Sequence, residues 1–260
     1  MDPKPPTLRH ALDARGIATI TLDRPAQLNA FDQAMLTGLL ELLKAAAADD
    51  ATRVVVLRAA GKHFSAGADM GPPESGAGEV QHGGFTDLFE ALEEMPKPTI
   101  AAVQGACVGG SAALVTCCDV VIATDSAFFS IPQARAGAAP IGVGPALIRA
   151  MGLRAYRRYA LSGERIPALD AQRLGLADEV CAAADLDDRV DQLADAFLHG
   201  APGAQAEVKA YLRHAYPELA RLMAAARDYH QRVDTFRTRE ALDGVAAFKA
   251  GRKPPWYPPR

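Results

Sequence analysis

Residues 104–113, which read QGACVGGSAA, are the segment whose residue types best suit chemistry. The apolar run 99–103 before it predicts a buried strand, and the small residues from Ser111 onward predict the first turns of a helix. A strand that breaks at glycines and restarts as a helix leaves backbone N–H groups free at the positive end of a helix dipole. Such groups can stabilise an oxygen that becomes negative during a reaction. The segment therefore predicts an anion site made of backbone.

Cys107 lies inside this segment and is the alternative reactive group. No His or Asn motif beside it supports a nucleophilic thiol, so we favour a packing role. The chain has no CxxC pair, which favours reduced thiols and a cytoplasmic protein. The cysteines are Cys107, Cys117, Cys118 and Cys181.

The elements that must position this segment follow an α/β pattern. Alternation and apolar runs predict strands at 17–22, 54–57, 99–103 and 120–123, with helices from Asp32 to about 48 and from 85 to 95. After about residue 142 the pattern is mostly helical. Strands interleaved with helices and followed by a helical tail favour an α/β core with a helical C-terminal part.

Residues 71–84 are rich in Gly, Pro, Ser and Glu and lie between two candidate site segments. Such a composition is typical of a loop. Two interpretations remain open: a lid that closes over a site, and a surface loop without a role.

Composition restricts the partners. The chain has 260 residues, of which 49% are apolar, and a formal charge of −3 from 28 basic and 31 acidic residues. That balance does not favour nucleic acid or an anionic membrane. No apolar stretch approaches the roughly 20 residues of a membrane span, so none is expected. Basic clusters at 149–158 and 249–253 are either solvated helix faces or a site for a small phosphorylated ligand.

Four blocks in the right order carry a family resemblance across almost the whole chain. They are residues 19–31 (TITLDRPAQLNAF), 61–70 (GKHFSAGADM), 97–110 (KPTIAAVQGACVGG) and 118–129 (CDVVIATDSAFF). Together they resemble the enoyl-CoA hydratase/isomerase (crotonase) superfamily. The resemblance implies an α/β fold with a crotonase-like spiral of ββα turns over residues 1–200. It also implies a C-terminal helical trimerisation region over 201–260, giving a homotrimer or a dimer of trimers.

The resemblance implies an acyl-CoA thioester as substrate, with coenzyme A as part of that substrate and neither a separate cofactor nor a metal. In this family two backbone N–H groups bind the thioester oxygen, and the matching positions are Ala68 and Gly110. Coenzyme A contacts carry over to Leu28, Ala66 and Ala68. Phe248 and Lys249 resemble the C-terminal segment that reaches a neighbouring subunit's coenzyme A. His63 is expected to have a surface or packing role.

The sequence departs from the family where hydratases place two glutamates. The first position is Ala113 and the second is Gln133, and neither side chain can transfer a proton. Residues 137–145 and 157–165 resemble the methylglutaconyl- and isohexenylglutaconyl-CoA hydratase-like branch. That branch lacks the first glutamate but keeps the second, so Gln133 departs even from it. Arg135 matches an arginine of the branch and is expected to bind a distal substrate carboxylate or to form a structural ion pair.

Three functions remain open from the sequence. One is a hydratase or isomerase of fatty, branched-chain or terpenoid acyl-CoA with an altered catalytic pair. Another is a different enolate reaction, such as decarboxylation, thioester hydrolysis or C–C cleavage. The third is an acyl-CoA binder without turnover. Other titratable candidates for acid–base work are Asp69, His82, Asp87, Glu90 and Asp125.

Overall fold

The computed structural model describes residues 7–69, 83–232 and 238–257. The predicted lid over 71–84 lies outside the described residues except for its last two glycines, which begin a helix. The strands in chain order are β1 (Leu8–Leu12), β2 (Ile17–Leu22), β3 (Val54–Ala59), β4 (Thr99–Val103), β5 (Ala106–Val108), β6 (Val120–Thr124), β7 (Phe128–Ser130), β8 (Arg165–Pro167) and β9 (Glu179–Cys181). The helices are α1 (Gln33–Ala48), α2 (Gly83–Glu94), α3 (Gly110–Val115), α4 (Gly144–Ser162), α5 (Ala168–Leu174), α6 (Leu186–Leu198), α7 (Pro202–Ala215), α8 (Glu218–Arg232) and α9 (Arg239–Lys249).

A six-stranded sheet in the order β1-β2-β3-β4-β6-β9 forms the centre of the fold. β1 pairs antiparallel with β2, and every other neighbouring pair is parallel. β4 is buried along its whole length, as expected for a parallel strand covered on both faces. Its alternate residues enter two cores: Ala101 and Val103 join the core that includes the buried stripe of α1, whereas Ile100 and Ala102 face α6.

A smaller three-stranded sheet in the order β5-β7-β8 carries the segment singled out above. β5 pairs in parallel with β7, so Val108 lies opposite Ser130. The chain leaves β5 through Gly109 and enters α3, and it leaves β7 into a 3-10 turn over Gln133–Ala136. The small sheet thus brings residues 108–110 and 133 to the same end.

Local sequence explains the helices that support this sheet. The Asp32 carboxylate accepts a hydrogen bond from Met35 N at 2.9 Å, which caps the first turn of α1. α4 is interrupted at Gly152, whose φ of 75° is non-helical.

α9 packs against the 3-10 turn of its own chain. The packing is close because glycines stand at the contact. A Cβ atom on Gly137 would lie 2.2 Å from Glu240 O, and one on Gly244 would lie 2.5 Å from the Ala136 carbonyl. α7 differs, since none of its residues is buried in the single chain. Among the described helices, none combines the length and the apolar character needed to cross a bilayer.

Candidate functional site

Two loops meet at the end of the small sheet. One loop, residues 65–69, lies after β3 in the chain. The other, residues 108–110, connects the end of β5 to α3. Ser65 N donates to Ala106 O at 2.9 Å, and Val108 N donates to Ser65 O at 3.1 Å. Gly67 has a φ of 90°, and a Cβ atom on it would lie only 2.6 Å from Val108 O and 3.8 Å from Gly110 N. Glycine at 67 is therefore required by both conformation and space.

The Ala68 N–H points away from Phe31, whose backbone bonds to the residues on both sides of Ala68. Phe31 N donates to Gly67 O and Asp69 N donates to Phe31 O, each at 2.8 Å. Because a trans peptide places N–H opposite C=O, the Ala68 N–H points away from Phe31. It finds no acceptor among the described residues.

The Gly110 amide is oriented in the same way. Gly109 N donates to Ser130 O at 2.8 Å, and Gly109 O accepts from Ala113 N, so both backbone groups of Gly109 are held and the Gly110 peptide is fixed at its carbonyl. Its N–H lies in the first turn of α3, where no intrahelical acceptor exists. The described part of the chain offers it no other acceptor. Two free amides on adjoining loops are suited to binding one oxygen atom that carries negative charge.

Hydroxyl groups join the two loops, and sequence reasoning missed them. The Ser111 Oγ accepts from Val108 N at 2.9 Å and lies 2.9 Å from Val108 O and 3.2 Å from Ser65 O. The Ser65 Oγ accepts from Gly67 N at 3.0 Å. Both serines are fully buried. A serine in the first turn after Gly-Gly was the one available signal, because such residues bond to nearby backbone.

Arg24 supports the 67–69 loop from behind. Its side chain is 9% exposed, and its guanidinium lies 3.2 Å from the carboxylates of both Asp32 and Asp69. It also donates to Ala30 O at 2.6 Å. A buried guanidinium between two carboxylates and a carbonyl fixes the geometry of all three. Asp69, predicted as a possible acid–base group, is thus engaged with Arg24.

His63 has the packing role expected from the sequence. Its Nδ1 accepts a hydrogen bond from Ala106 N at 3.1 Å, which fixes Nδ1 as the unprotonated nitrogen. The carbonyl of His63 in turn accepts from the Asn29 side chain at 2.8 Å. His63 therefore links the first block of the sequence to the start of β5.

Cys107 is not suited to nucleophilic chemistry. Its side chain is fully buried, and burial raises the pKa of its thiol to about 12, an effect that the Ser111 hydroxyl opposes only in part. Since the thiolate is the reactive form, the thiol stays inert near neutral pH.

An aromatic cluster packs against the Gly110 backbone. A Cβ atom on Gly110 would lie 2.5 Å from the Phe85 ring, so Phe85 packs directly on the Gly110 backbone. Phe85 meets Phe31 edge to face, with centroids 5.1 Å apart, and Phe89 at 6.0 Å. Rings that exclude water lower the local dielectric, which strengthens hydrogen bonds to a charged oxygen. The described residues contain no group of three or more His, Cys, Asp or Glu that could hold a metal ion.

Comparisons with known proteins identify the family of this chain. The family model described as enoyl-CoA hydratase/isomerase matches residues 13–258. The chain belongs to the enoyl-CoA hydratase/isomerase family. Its similarity to members of that family extends over most of its length. The 2,3-dehydroadipyl-CoA hydratase of Escherichia coli (strain K12) is 32% identical over 240 residues, covering 87% of this chain and 94% of that relative.

Two further members of the family show the same relationship. Carnitinyl-CoA dehydratase of Proteus mirabilis (strain HI4320) is 31% identical, covering 94% of this chain and 97% of that one. The crystal structure of an enoyl-CoA hydratase from Mycobacterium avium subsp. paratuberculosis K-10 matches with a TM-score of 0.87 and 27% identity. It covers 97% of this chain and 99% of that one. The crotonase-like α/β fold predicted from the sequence is therefore confirmed, whereas the narrower branch stays a prediction.

Ala113 and Gln133, the positions that the resemblance matches to the two hydratase glutamates, both contact Gly109. Ala113 is fully buried in α3. Gln133 lies against Gly109, since a Cβ atom there would be 3.1 Å from Gln133 Nε2. The Gln133 Oε1 atom is buried and has no hydrogen-bond partner among the described residues. The structure thus brings Gln133 next to Gly109, which precedes one of the two amides, and neither Ala113 nor Gln133 is a proton-transfer group.

Of the predicted coenzyme A contacts, the structure brings two together. Ala66 N donates to Leu28 O at 2.9 Å, and Leu28 is left-handed (φ 53°) and half exposed. Phe248 is 68% exposed on α9, and its role and that of Lys249 towards a neighbouring subunit stay predictions. Arg135 donates from Nε to Ser162 O at 2.7 Å, so it anchors the end of α4.

The remaining titratable candidates are placed differently. Glu90 forms an ion pair with Arg227, and Asp87 and Asp125 are exposed. His82 lies outside the described residues. In the basic cluster, Arg149 pairs with Glu93, which favours the helix-face interpretation for that position.

Proposed function

We propose that this chain binds an acyl-CoA thioester and stabilises the enolate form of its carbonyl oxygen with the amides of Ala68 and Gly110. One observation carries the proposal: two amides without an acceptor among the described residues lie on loops that touch at Gly67 and Val108. Coenzyme A would lie along Leu28 and Ala66, whose backbones are hydrogen-bonded to each other.

The chemistry explains why two amides would be needed. Removing a proton next to a thioester carbonyl, or adding water to a carbon–carbon double bond conjugated with it, moves negative charge onto the carbonyl oxygen. Donors already in place at that oxygen favour the charged state over the neutral substrate. The ring of Phe85 over Gly110 keeps water from competing for the same donors.

Gln133 would then position a reactant without transferring a proton. Its buried Oε1, which no described residue contacts by a hydrogen bond, can accept one from a water molecule or a substrate hydroxyl. The names of the relatives, a hydratase and a dehydratase, support water addition or elimination on an enoyl-CoA. We favour fatty, branched-chain or terpenoid acyl groups as substrates, in the cytoplasm.

A second candidate is favoured by Ala113 and Gln133 together. Decarboxylation, thioester hydrolysis, C–C cleavage or binding without turnover would use the same two amides and need different proton carriers or none.

We also propose a homotrimer, alone or paired into a hexamer. α7 buries none of its residues in the single chain, although Val208, Tyr211 and Leu212 are large, apolar and exposed there. A contiguous apolar helix face of this kind is typical of a subunit interface. Light scattering on the purified protein tests this, and a monomer would contradict it.

The reaction is tested by incubating the protein with crotonyl-CoA, methylglutaconyl-CoA and malonyl-CoA and following each by mass. A gain of water supports the hydratase. Loss of carbon dioxide or release of free coenzyme A supports the second candidate. Measurable binding without turnover would contradict an enzymatic function and support an acyl-CoA binder.

A further inference from the structure

We propose that Ser111, together with Ser65, is the positioning residue that holds the amides of Ala68 and Gly110 in register for a single oxygen atom. The inference rests on the proposed function, because it assigns these serines a role in enolate binding.

Ser111 connects the two loops through one hydroxyl group. Its Oγ accepts from Val108 N at 2.9 Å, and its single hydrogen can be donated to Val108 O at 2.9 Å or to Ser65 O at 3.2 Å. Residues 65 and 111 are 46 positions apart in sequence. Ser111 follows Gly110 directly, so a shift of its side chain would shift the Gly110 peptide.

Ser65 completes the link on the other loop. Its carbonyl oxygen accepts a hydrogen bond from Val108 N at 3.1 Å, and its Oγ accepts one from Gly67 N at 3.0 Å. The next peptide, between Gly67 and Ala68, is held at its carbonyl by Phe31 N. The orientation of the Ala68 N–H thus depends on a series of contacts that includes Phe31, Ser65 and Ser111.

The two loops have no space to adjust independently. The 2.6 Å separation between a Gly67 Cβ position and Val108 O means that the backbones already touch. Loss of the Ser111 hydroxyl would remove its bonds to Val108 and Ser65, while the backbone bonds from Ser65 to residues 106 and 108 would remain. An oxygen bound by both amides would then be held at a less favourable distance by one of them.

Thr116 offers a matched control. It is also a buried hydroxyl residue near α3, and its Oγ1 donates to Ala113 O at 2.8 Å, at the opposite end of the helix. Thr116→Val removes a buried helix hydroxyl as Ser111→Ala does, but it touches neither loop.

The test compares two ligands that differ at one carbon. Acetoacetyl-CoA ionises to an enolate at its thioester, whereas S-(3-oxobutyl)-CoA has a methylene group in place of that carbonyl. Titration calorimetry gives the affinity ratio of the two for each variant. We expect Ser111→Ala to lower the ratio about tenfold or more, with the thioether affinity unchanged, and Thr116→Val to keep the wild-type ratio.

A wild-type ratio in Ser111→Ala, or an equal loss for both ligands, would overturn the inference. If Ser111→Ala does not fold, the affinity ratio is measured for Ser65→Ala. The same loss is expected there, because the substitution removes the acceptor for Gly67 N. A wild-type protein that binds both ligands equally would instead overturn the proposed function, and the positioning role with it.

Discussion

The side chain of Gln133 packs on Gly109 so closely that a Cβ atom on Gly109 would lie 3.1 Å from Gln133 Nε2. Gln133 therefore stands next to the Gly109–Gly110 peptide, whose amide is one of the two proposed oxygen donors. The Oε1 atom of the same side chain is buried and has no partner in the part of the chain that the structure describes. A residue with the shape of glutamate but no proton to transfer thus lies beside the Gly110 amide.

Gln133→Glu should raise the hydration of crotonyl-CoA. The substitution keeps the shape of the side chain, and a partly buried carboxyl group can act as an acid or base near neutral pH. Because such groups contribute about 10²–10⁴-fold, we expect at least a tenfold gain, measured by loss of the enoyl absorbance. Gln133→Met is the control that keeps the length without a proton carrier. No gain in a variant with unchanged circular dichroism would contradict this placement of the site.

Gly67→Ala should destabilise the protein and reduce binding of acetoacetyl-CoA. A side chain at a φ of 90° costs about 1–3 kcal/mol, and this Cβ would also push against Val108 O. Gly16→Ala is a matched control, with a φ of 89° and a Cβ position 2.6 Å from Ala51 O.

The two glycines differ in location. Gly16 lies just before β2, and Arg24, which contacts Asp69, lies just after it. The rise along β2 therefore separates Gly16 from the site by about 20 Å. Urea unfolding should show a loss of stability in both variants, whereas the affinity of the folded protein should fall only in Gly67→Ala. Equal affinities would show that the contact between the loops does not control the site.

His63→Ala should weaken the support of β5, whereas His63→Asn should largely restore it. The Nδ1 atom accepts from Ala106 N, and an asparagine Oδ1 occupies a similar position as an acceptor. Leaving a partly buried amide unpaired costs about 1–3 kcal/mol, which thermal unfolding would detect. Identical melting temperatures for the two variants would mean that the hydrogen bond contributes nothing.

Cys107 should resist alkylation in the native protein. Burial raises the pKa of its thiol from 9.0 to about 12, so the thiol stays protonated at pH 8. Ionisation is easier in the unfolded chain, so this residue should lower the free energy of unfolding as pH rises from about 9 towards 12. Iodoacetamide treatment and peptide mapping measure the reactivity, with urea-unfolded protein as the control. Rapid native labelling of Cys107 would contradict its assignment as an inert core residue.

Patterns within one segment of chain were predicted well from the sequence. β2 at 17–22 follows from alternation, and α1 follows from a capping aspartate and a buried leucine stripe. The family blocks also located the loops of Ala68 and Gly110. Short strands were harder to predict, and β1 at Leu8–Leu12 was missed because most of its residues are exposed.

Contacts between distant segments could not be predicted in the same way. The Ser111 hydroxyl meets Ser65 across 46 residues, and the Phe85 ring covers Gly110 from another helix. Neither contact leaves a periodic signal, since each depends on how two loops and a helix meet in space. The sequence could therefore locate the amides but not the groups that hold them.

The central claim is that Ala68 and Gly110 bind the oxygen of a thioester enolate. The most direct test is the affinity of the wild-type protein for acetoacetyl-CoA relative to S-(3-oxobutyl)-CoA, with the enolate followed by its ultraviolet absorbance. A site built for the charged state binds its mimics about 10² or more times tighter than neutral ligands, so we expect an affinity ratio of at least that size. We also expect the bound acetoacetyl-CoA to be an enolate at a pH below that at which the free compound ionises. Equal affinities, or an acetoacetyl-CoA bound only in its neutral form, would contradict the account.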